Sequence, residues 1–181
     1  GSIPFVVHRD YQLPTWWTKD WLILATSHSG NTEETFAATE TALKHGATVV
    51  VIATGGALAG LRELYENCHL IPSIAGQPPR TAFGHLFSRQ LALIEYLEFV
   101  PGQQPHLREE MLNRLEKAIH ANDFRTPQGT PLLDLAMSLR ERPISLLGPT
   151  ELEPVLVRFK NQLNENAGRF ARIGVVPEMN H

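Results

Sequence analysis

Short apolar runs alternate with longer amphipathic stretches along this chain. Trp21–Ala25 is one such run, and Val49–Ala53 is apolar at five successive positions. A strand without a polar position is covered on both faces, as in a parallel sheet lying between two layers of helices. The pattern predicts strands at these two runs and at Ile3–Val7 and His69–Ile74.

Amphipathic stretches between these runs predict helices that end near His45, run from about Leu58 to Asn67, and run from Ala82 to about Phe99. Strands that alternate regularly with helices indicate an α/β fold. We therefore expect a doubly wound parallel sheet flanked by helices.

A proline- and glycine-rich segment, residues 100–105, interrupts both patterns and predicts a domain boundary. We expect a nearly complete first domain at 1–105 and the start of a second at 106–181. The elements predicted for the second domain are helices over about Leu107–Ile119, Leu132–Arg140 and Leu152–Leu163, and strands at Pro143–Gly148 and Ile173–Val176. Because the chain begins Gly1-Ser2 without a methionine, we expect an incomplete piece.

Composition narrows the choice of partners. The chain has 16 Lys and Arg residues against 19 Asp and Glu, a net charge of -3, with no block of like charges. This argues against nucleic acid and membrane surfaces as partners. The single cysteine, Cys68, forms no internal disulfide, and the sequence shows neither a signal peptide nor an apolar run of transmembrane length, so we expect a cytoplasmic protein.

A hydroxyl-rich loop, ATSHSGNTEET, follows the strand predicted at Trp21–Ala25 and leads into a helix. A helix start presents unpaired N–H groups and the positive end of the helix dipole, and therefore attracts anions. Ser27, Ser29 and Thr32 could each donate a hydrogen bond to a phosphate oxygen, and Gly30 would let the backbone approach it. The position, at the carboxyl end of a strand, is where open α/β sheets hold ligands.

Helix capping is the alternative use of these residues. Asn31 with Glu34 three residues later resembles a capping box, although capping does not account for Ser27 and Ser29. The loop also lacks the lysine of a GxxxxGK[ST] nucleotide loop and the GxGxxG of a dinucleotide fold, and Thr54-Gly55-Gly56 is too short to supply either. A small phosphorylated metabolite is favoured over ATP or NAD.

The loop SHSGNTEET resembles the phosphate loop of SIS (sugar isomerase) domains, which occur in isomerases, amidotransferases and transcriptional regulators. NQLNENAGRF at 161–170 and PEMNH at 177–181 resemble the bifunctional phosphoglucose/phosphomannose isomerases. This resemblance implies tandem SIS domains, a homodimer and Glu165 as catalytic base. It also implies that His181 assists ring opening and that Arg80 lies near the sugar. A Gly-Gly-Ser-Gly turn of that family would lie before Gly1.

The implied reaction interconverts glucose 6-phosphate, and mannose 6-phosphate, with fructose 6-phosphate through a cis-enediol. A carboxylate whose pKa is raised by burial suits the proton transfer, a cation stabilises the enediolate, and neither a metal nor a redox cofactor is required. Ordinary roles stay open for the three residues: a solvated charge for Glu165, a loop cation for Arg80 and a mobile terminus for His181. Two other functions also stay open, a non-catalytic phosphosugar-binding regulatory module and an aminosugar enzyme.

Overall fold

The computed structural model describes residues 3–123, 125 and 130–176. The chain divides into two compact units, Gly1–Gly102 and Gln103–His181, so the division falls inside the proline- and glycine-rich segment. The assignment of the two units as a first and a second SIS domain remains a prediction. None of the described helices is long and apolar enough to cross a membrane.

The first unit contains a parallel sheet of three strands, β1 (Ile23–Thr26), β2 (Val49–Ala53) and β3 (Cys68–Pro72), in the order β1-β2-β3. Its helices are α1 (Glu33–Lys44), α2 (Gly56–Gly60) and α3 (Phe83–Tyr96). Each strand is followed by a helix, as parallel pairing requires. Because the strands run in one direction, their carboxyl ends lie at one edge of the sheet.

Helices cover both faces of this sheet. One face packs against α1, α2 and the turn after α2 through a core of buried apolar residues: Ala25, Ala42, Leu43, Val49, Val51, Ala53, Leu58 and Leu61. Val50 and Ile52 alternate with these along β2 and point to the other face. Thr26 pairs with Ile52, and its hydroxyl accepts a hydrogen bond of 2.8 Å from Gln90 on α3. The predicted α/β fold, a parallel sheet flanked by helices, is therefore confirmed.

Two predicted elements of the first unit are wrong. Ile3–Val7 forms no strand, since no described residue pairs with its backbone, and the side chain of Phe5 is 74% exposed. The helix predicted over Leu58–Asn67 ends at Gly60 and continues only as a 3-10 turn to Glu63. Asn67, predicted as the last residue of that helix, instead donates side-chain hydrogen bonds to the carbonyls of Leu43 and Ala47, next to β2.

The second unit pairs β4 (Ile144–Pro149) with β5 (Ala171–Val176) in parallel. Its helices are α4 (Pro105–Ala121), α5 (Pro131–Ser138) and α6 (Glu153–Ala167). Each lies close to its predicted position. Among the described residues of this unit only Thr130 and Ala171 are buried, and large apolar side chains of all three helices are exposed. The described part of this unit therefore buries little apolar surface by itself.

Candidate functional site

The hydroxyl-rich loop lies where β1 ends and α1 begins, at the carboxyl edge of the first sheet. Ser27 N donates to Ile52 O at 3.1 Å, so pairing with β2 extends one residue beyond β1. Gly30 has φ 73, in the left-handed region that favours glycine. A Cβ added there would overlap the carbonyl oxygen of Gly55 and lie 2.9 Å from its carbon. This position therefore has space only for glycine.

The hydroxyls of Ser27, Ser29 and Thr32 are held by hydrogen bonds within the loop. Ser27 Oγ accepts from Gly30 N at 3.1 Å and lies 2.8 Å from Thr32 Oγ1, while Ser29 Oγ accepts from Asn31 N at 3.2 Å. The Ser27–Thr32 bond uses one of three hydroxyl protons, because each hydroxyl has a single proton to donate. One proton of that pair and the proton of Ser29 remain for an anion.

The alternative use of these residues, a capping box of Asn31 and Glu34, does not form in the structure. Thr32 is the N-cap residue of α1, and its side chain makes no capping hydrogen bond. The side chain of Asn31 turns instead to the start of α2, where Oδ1 accepts from Ala57 N at 2.9 Å. Since no described side chain caps α1, its first N–H groups remain available to an anion.

Two carboxylates, Glu33 and Glu34, lie in the first turn of α1. They are favourable for the helix dipole but oppose a bound phosphate. Their negative charge also acts on Tyr11. The pKa of Tyr11 is raised above its ordinary value, first by the charge of Glu34 and then by burial and by Glu33. Phosphate binding here must therefore depend on directed hydrogen bonds more than on net charge.

The turn after β2, Thr54–Ala57, forms a second wall of the site. Thr54 donates twice to the carbonyl of His28, from its N at 3.0 Å and its hydroxyl at 2.7 Å. Gly56 has φ 73, and a Cβ there would overlap the carbonyl of Ser29. The two loops therefore interlock through backbone atoms.

Sequence reasoning considered this turn only as a nucleotide loop and missed its role as support for the hydroxyl loop. Two glycines directly after a buried strand were the available signal.

A third segment, which includes Arg80, contacts the loop through Gln77. His28 Nε2 lies 2.9 Å from Gln77 O, so the residues leading to Arg80 are attached to the middle of the hydroxyl loop. Arg80 itself is exposed, three residues after Gln77 and shortly before α3. The first unit thus places Ser27, Ser29, Gly30, Thr32 and the Arg80 segment at one edge of its sheet.

The residues predicted for proton transfer belong to the second unit. Glu165 is exposed in the last turn of α6, so the described residues of that unit do not supply the burial expected for a catalytic carboxylate. The helix ends at Gly168 with φ 57, a left-handed C-cap. His181 lies outside the described residues.

Known proteins are similar to this chain over nearly its whole length. Residues 130–181 match the bacterial phospho-glucose isomerase C-terminal SIS domain. A bifunctional phosphoglucose/phosphomannose isomerase of Caldicellulosiruptor bescii is 33% identical over 99% of this chain and 53% of its own length. One of Thermoplasma acidophilum is 32% identical over 98% of this chain and 52% of its own length.

A crystal structure of a proposed phosphosugar isomerase from Clostridium difficile 630 is similar in fold, with a TM-score of 0.57. It is 14% identical in sequence and matches 92% of this chain and 49% of its own. The chain spans about half the length of the curated relatives it matches. Over nearly its whole length the chain is similar to bifunctional phosphoglucose/phosphomannose isomerases, and residues 130–181 match a SIS-domain family of phospho-glucose isomerases.

Proposed function

We propose that the protein to which this chain belongs is an isomerase that interconverts glucose 6-phosphate, and mannose 6-phosphate, with fructose 6-phosphate. The observation that carries this proposal is the hydroxyl loop at the carboxyl edge of the first sheet, in a chain similar to proteins that are named for these two activities. Two hydroxyl protons of the loop and the uncapped start of α1 are available to an anion, which supports the proposal.

Substrate binding in this proposal depends on the phosphate group. Ser27, Ser29 and Thr32 line the phosphate: Ser29 and one member of the Ser27–Thr32 pair donate hydroxyl hydrogen bonds to its oxygens, and Gly30 lets the backbone N–H groups approach. Each such hydrogen bond to a charged group stabilises the complex by about 1.5–3 kcal/mol. Two or three of them hold the common end of all three hexose phosphates and leave C1 and C2 to a separate set of groups.

Proton transfer is the role proposed for Glu165. Its carboxylate removes the proton from C2 of the open-chain aldose, and the electrons of the C–H bond form the enediolate. The same carboxyl group returns that proton to C1, a proton moves from O2 to O1, and the ketose results. Arg80 stabilises the negative charge of the enediolate, and His181 passes a proton to the ring oxygen so that the hexose opens first.

The resemblance also supports a homodimer that requires no metal and works in the cytoplasm. A base that abstracts a carbon-bound proton needs to be shielded from water. Glu165 is exposed in its own unit, so the proposal requires that another part of the protein or a second subunit covers it. Dialysis of the full-length enzyme against EDTA should then leave its activity unchanged.

A coupled assay on the full-length protein tests the proposal. Fructose 6-phosphate is supplied, and glucose 6-phosphate and mannose 6-phosphate are measured separately. Binding of fructose 6-phosphate without either product would overturn the isomerase proposal and favour the regulatory module.

The role of Glu165 is tested by Glu165→Gln, which should lower kcat by at least about a hundredfold while the affinity for hexose phosphate changes little. Glu153→Gln is the matched control, because Glu153 is an exposed glutamate at the other end of α6. An active Glu165→Gln enzyme would refute the assignment of the base.

A further inference from the structure

His28 connects three segments of the first unit. Its carbonyl oxygen accepts both hydrogen bonds from Thr54, and its ring Nε2 lies 2.9 Å from the carbonyl oxygen of Gln77. The residue stands between Ser27 and Ser29 in the hydroxyl loop. One residue therefore contacts the turn after β2 through its backbone and the segment before α3 through its side chain.

The contact with Gln77 identifies which nitrogen of the His28 ring carries a proton. A carbonyl oxygen only accepts, so Nε2 carries the proton and donates it. The other ring nitrogen, Nδ1, is buried and has no hydrogen-bond partner among the described residues. Among the described residues, Gln77 is the hydrogen-bond partner of this half-buried ring.

The segment contacted by His28 leads directly to Arg80. It leaves β3 where the carbonyl of Pro72 accepts from Arg89 Nε at 2.7 Å, and it enters α3 at Ala82, which is fully buried. The Thr81 N–H donates to Pro78 O at 3.0 Å and closes a turn around Arg80. His28 therefore attaches the middle of a segment whose two ends are already fixed to the sheet and to α3.

We propose that His28 is a positioning residue that ties the Gln77–Arg80 segment to the hydroxyl loop. It acts through the backbone of Gln77 and sets the position of Arg80 relative to the loop. The functional part of this inference rests on the proposed function, in which the loop binds phosphate and Arg80 stabilises the enediolate. The structural part, attachment of the segment by the ring N–H, is independent of any reaction.

Three substitutions of His28 in the full-length protein separate the hydrogen bond from the volume of the ring. His28→Phe keeps a ring but removes the N–H, whereas His28→Gln restores an N–H donor. His28→Leu repeats the loss of the donor with a smaller side chain, in case the phenylalanine ring does not fit. His69→Phe is the control, because His69 is an exposed histidine on β3 of the same unit.

Hydrogen–deuterium exchange of the phosphate-bound protein, at roughly ten times the dissociation constant measured for inorganic phosphate, reports on the attachment of this segment. Peptides covering residues 73–82 should exchange roughly three- to tenfold faster in His28→Phe and His28→Leu, as expected for the loss of one hydrogen bond. They should exchange at the wild-type rate in His28→Gln and His69→Phe. Wild-type exchange of these peptides in both donor-less variants would overturn the proposal.

Isomerase kinetics test the consequence for Arg80. In His28→Phe, kcat should fall while the dissociation constant for inorganic phosphate stays within about twofold, because the hydroxyl donors remain in place. His28→Gln should recover the lost kcat, and equal rates in His28→Phe and wild type would overturn the link to Arg80. Absence of isomerase activity in the wild-type protein would refute the proposed function, and the exchange experiment would still decide the role of His28.

Discussion

Replacement of Gly30 by alanine tests whether the interlocked loops build the phosphate site. The backbone at Gly30 has φ 73, and an added Cβ would overlap the carbonyl oxygen of Gly55 and lie 2.9 Å from its carbon. A left-handed conformation costs a non-glycine residue about 1–2 kcal/mol, and crowding in a packed region adds about 1–3 kcal/mol. We expect Gly30→Ala to lower the free energy of unfolding by about 2–5 kcal/mol.

Gly46→Ala is a matched control in the same unit. Gly46 has φ 85, but a Cβ there would meet no atom within 4 Å. This variant should therefore show only the conformational cost of about 1–2 kcal/mol. The difference between the two variants isolates the effect of moving the two loops apart.

Urea denaturation and calorimetric titration with fructose 6-phosphate measure the two effects on the full-length protein. The backbone of Gly30 must move away from Gly55, which displaces Ser27 and Ser29. We expect an affinity at least about tenfold weaker, the loss of roughly one hydrogen bond to a charged group, while Gly46→Ala binds like the wild type. Equal stability of the two variants, or unchanged affinity in Gly30→Ala, would refute the reasoning.

Other predictions concern single side chains. Ser29→Ala should weaken hexose phosphate binding by about tenfold with little loss of stability. Ser27→Ala should lower both the affinity and the free energy of unfolding, because buried Ser27 also accepts from Gly30 N. Calorimetric titration and urea denaturation measure the two quantities, and the same result for both variants would contradict this prediction. Asn31→Ala should lower the free energy of unfolding by about 1 kcal/mol through loss of the bond to Ala57 N, and an unchanged urea midpoint would show that this bond contributes nothing. Burial raises the pKa of the Cys68 thiol, so iodoacetamide at pH 8 should alkylate it at least about tenfold more slowly in the folded protein than in urea, and equal rates would mean that the thiol is accessible.

The elements of this fold were largely predictable because they depend on local periodicity. Val49–Ala53 is apolar throughout and is buried throughout, and the apolar spacing of the long helix before Glu165 matches α6. The two failures have a common cause. Ile3–Val7 has the composition of a strand but no described partner, and the stretch after Gly60 follows the path that connects α2 to β3. Pairing and chain path depend on residues distant in sequence, which a local pattern does not contain.

The amino-acid sequence by itself determined the fold class, the position of the hydroxyl loop and the resemblance to bifunctional phosphoglucose/phosphomannose isomerases. Those properties depend on residue type and spacing, which are present in any short stretch of the chain. Tertiary structure alone decided how the loop is held: Asn31 caps α2 and not α1, Gly30 and Gly56 interlock, and His28 contacts Gln77. Each of these contacts joins residues at least 25 positions apart, from segments that follow different strands at one sheet edge, and only the folded backbone brings them together.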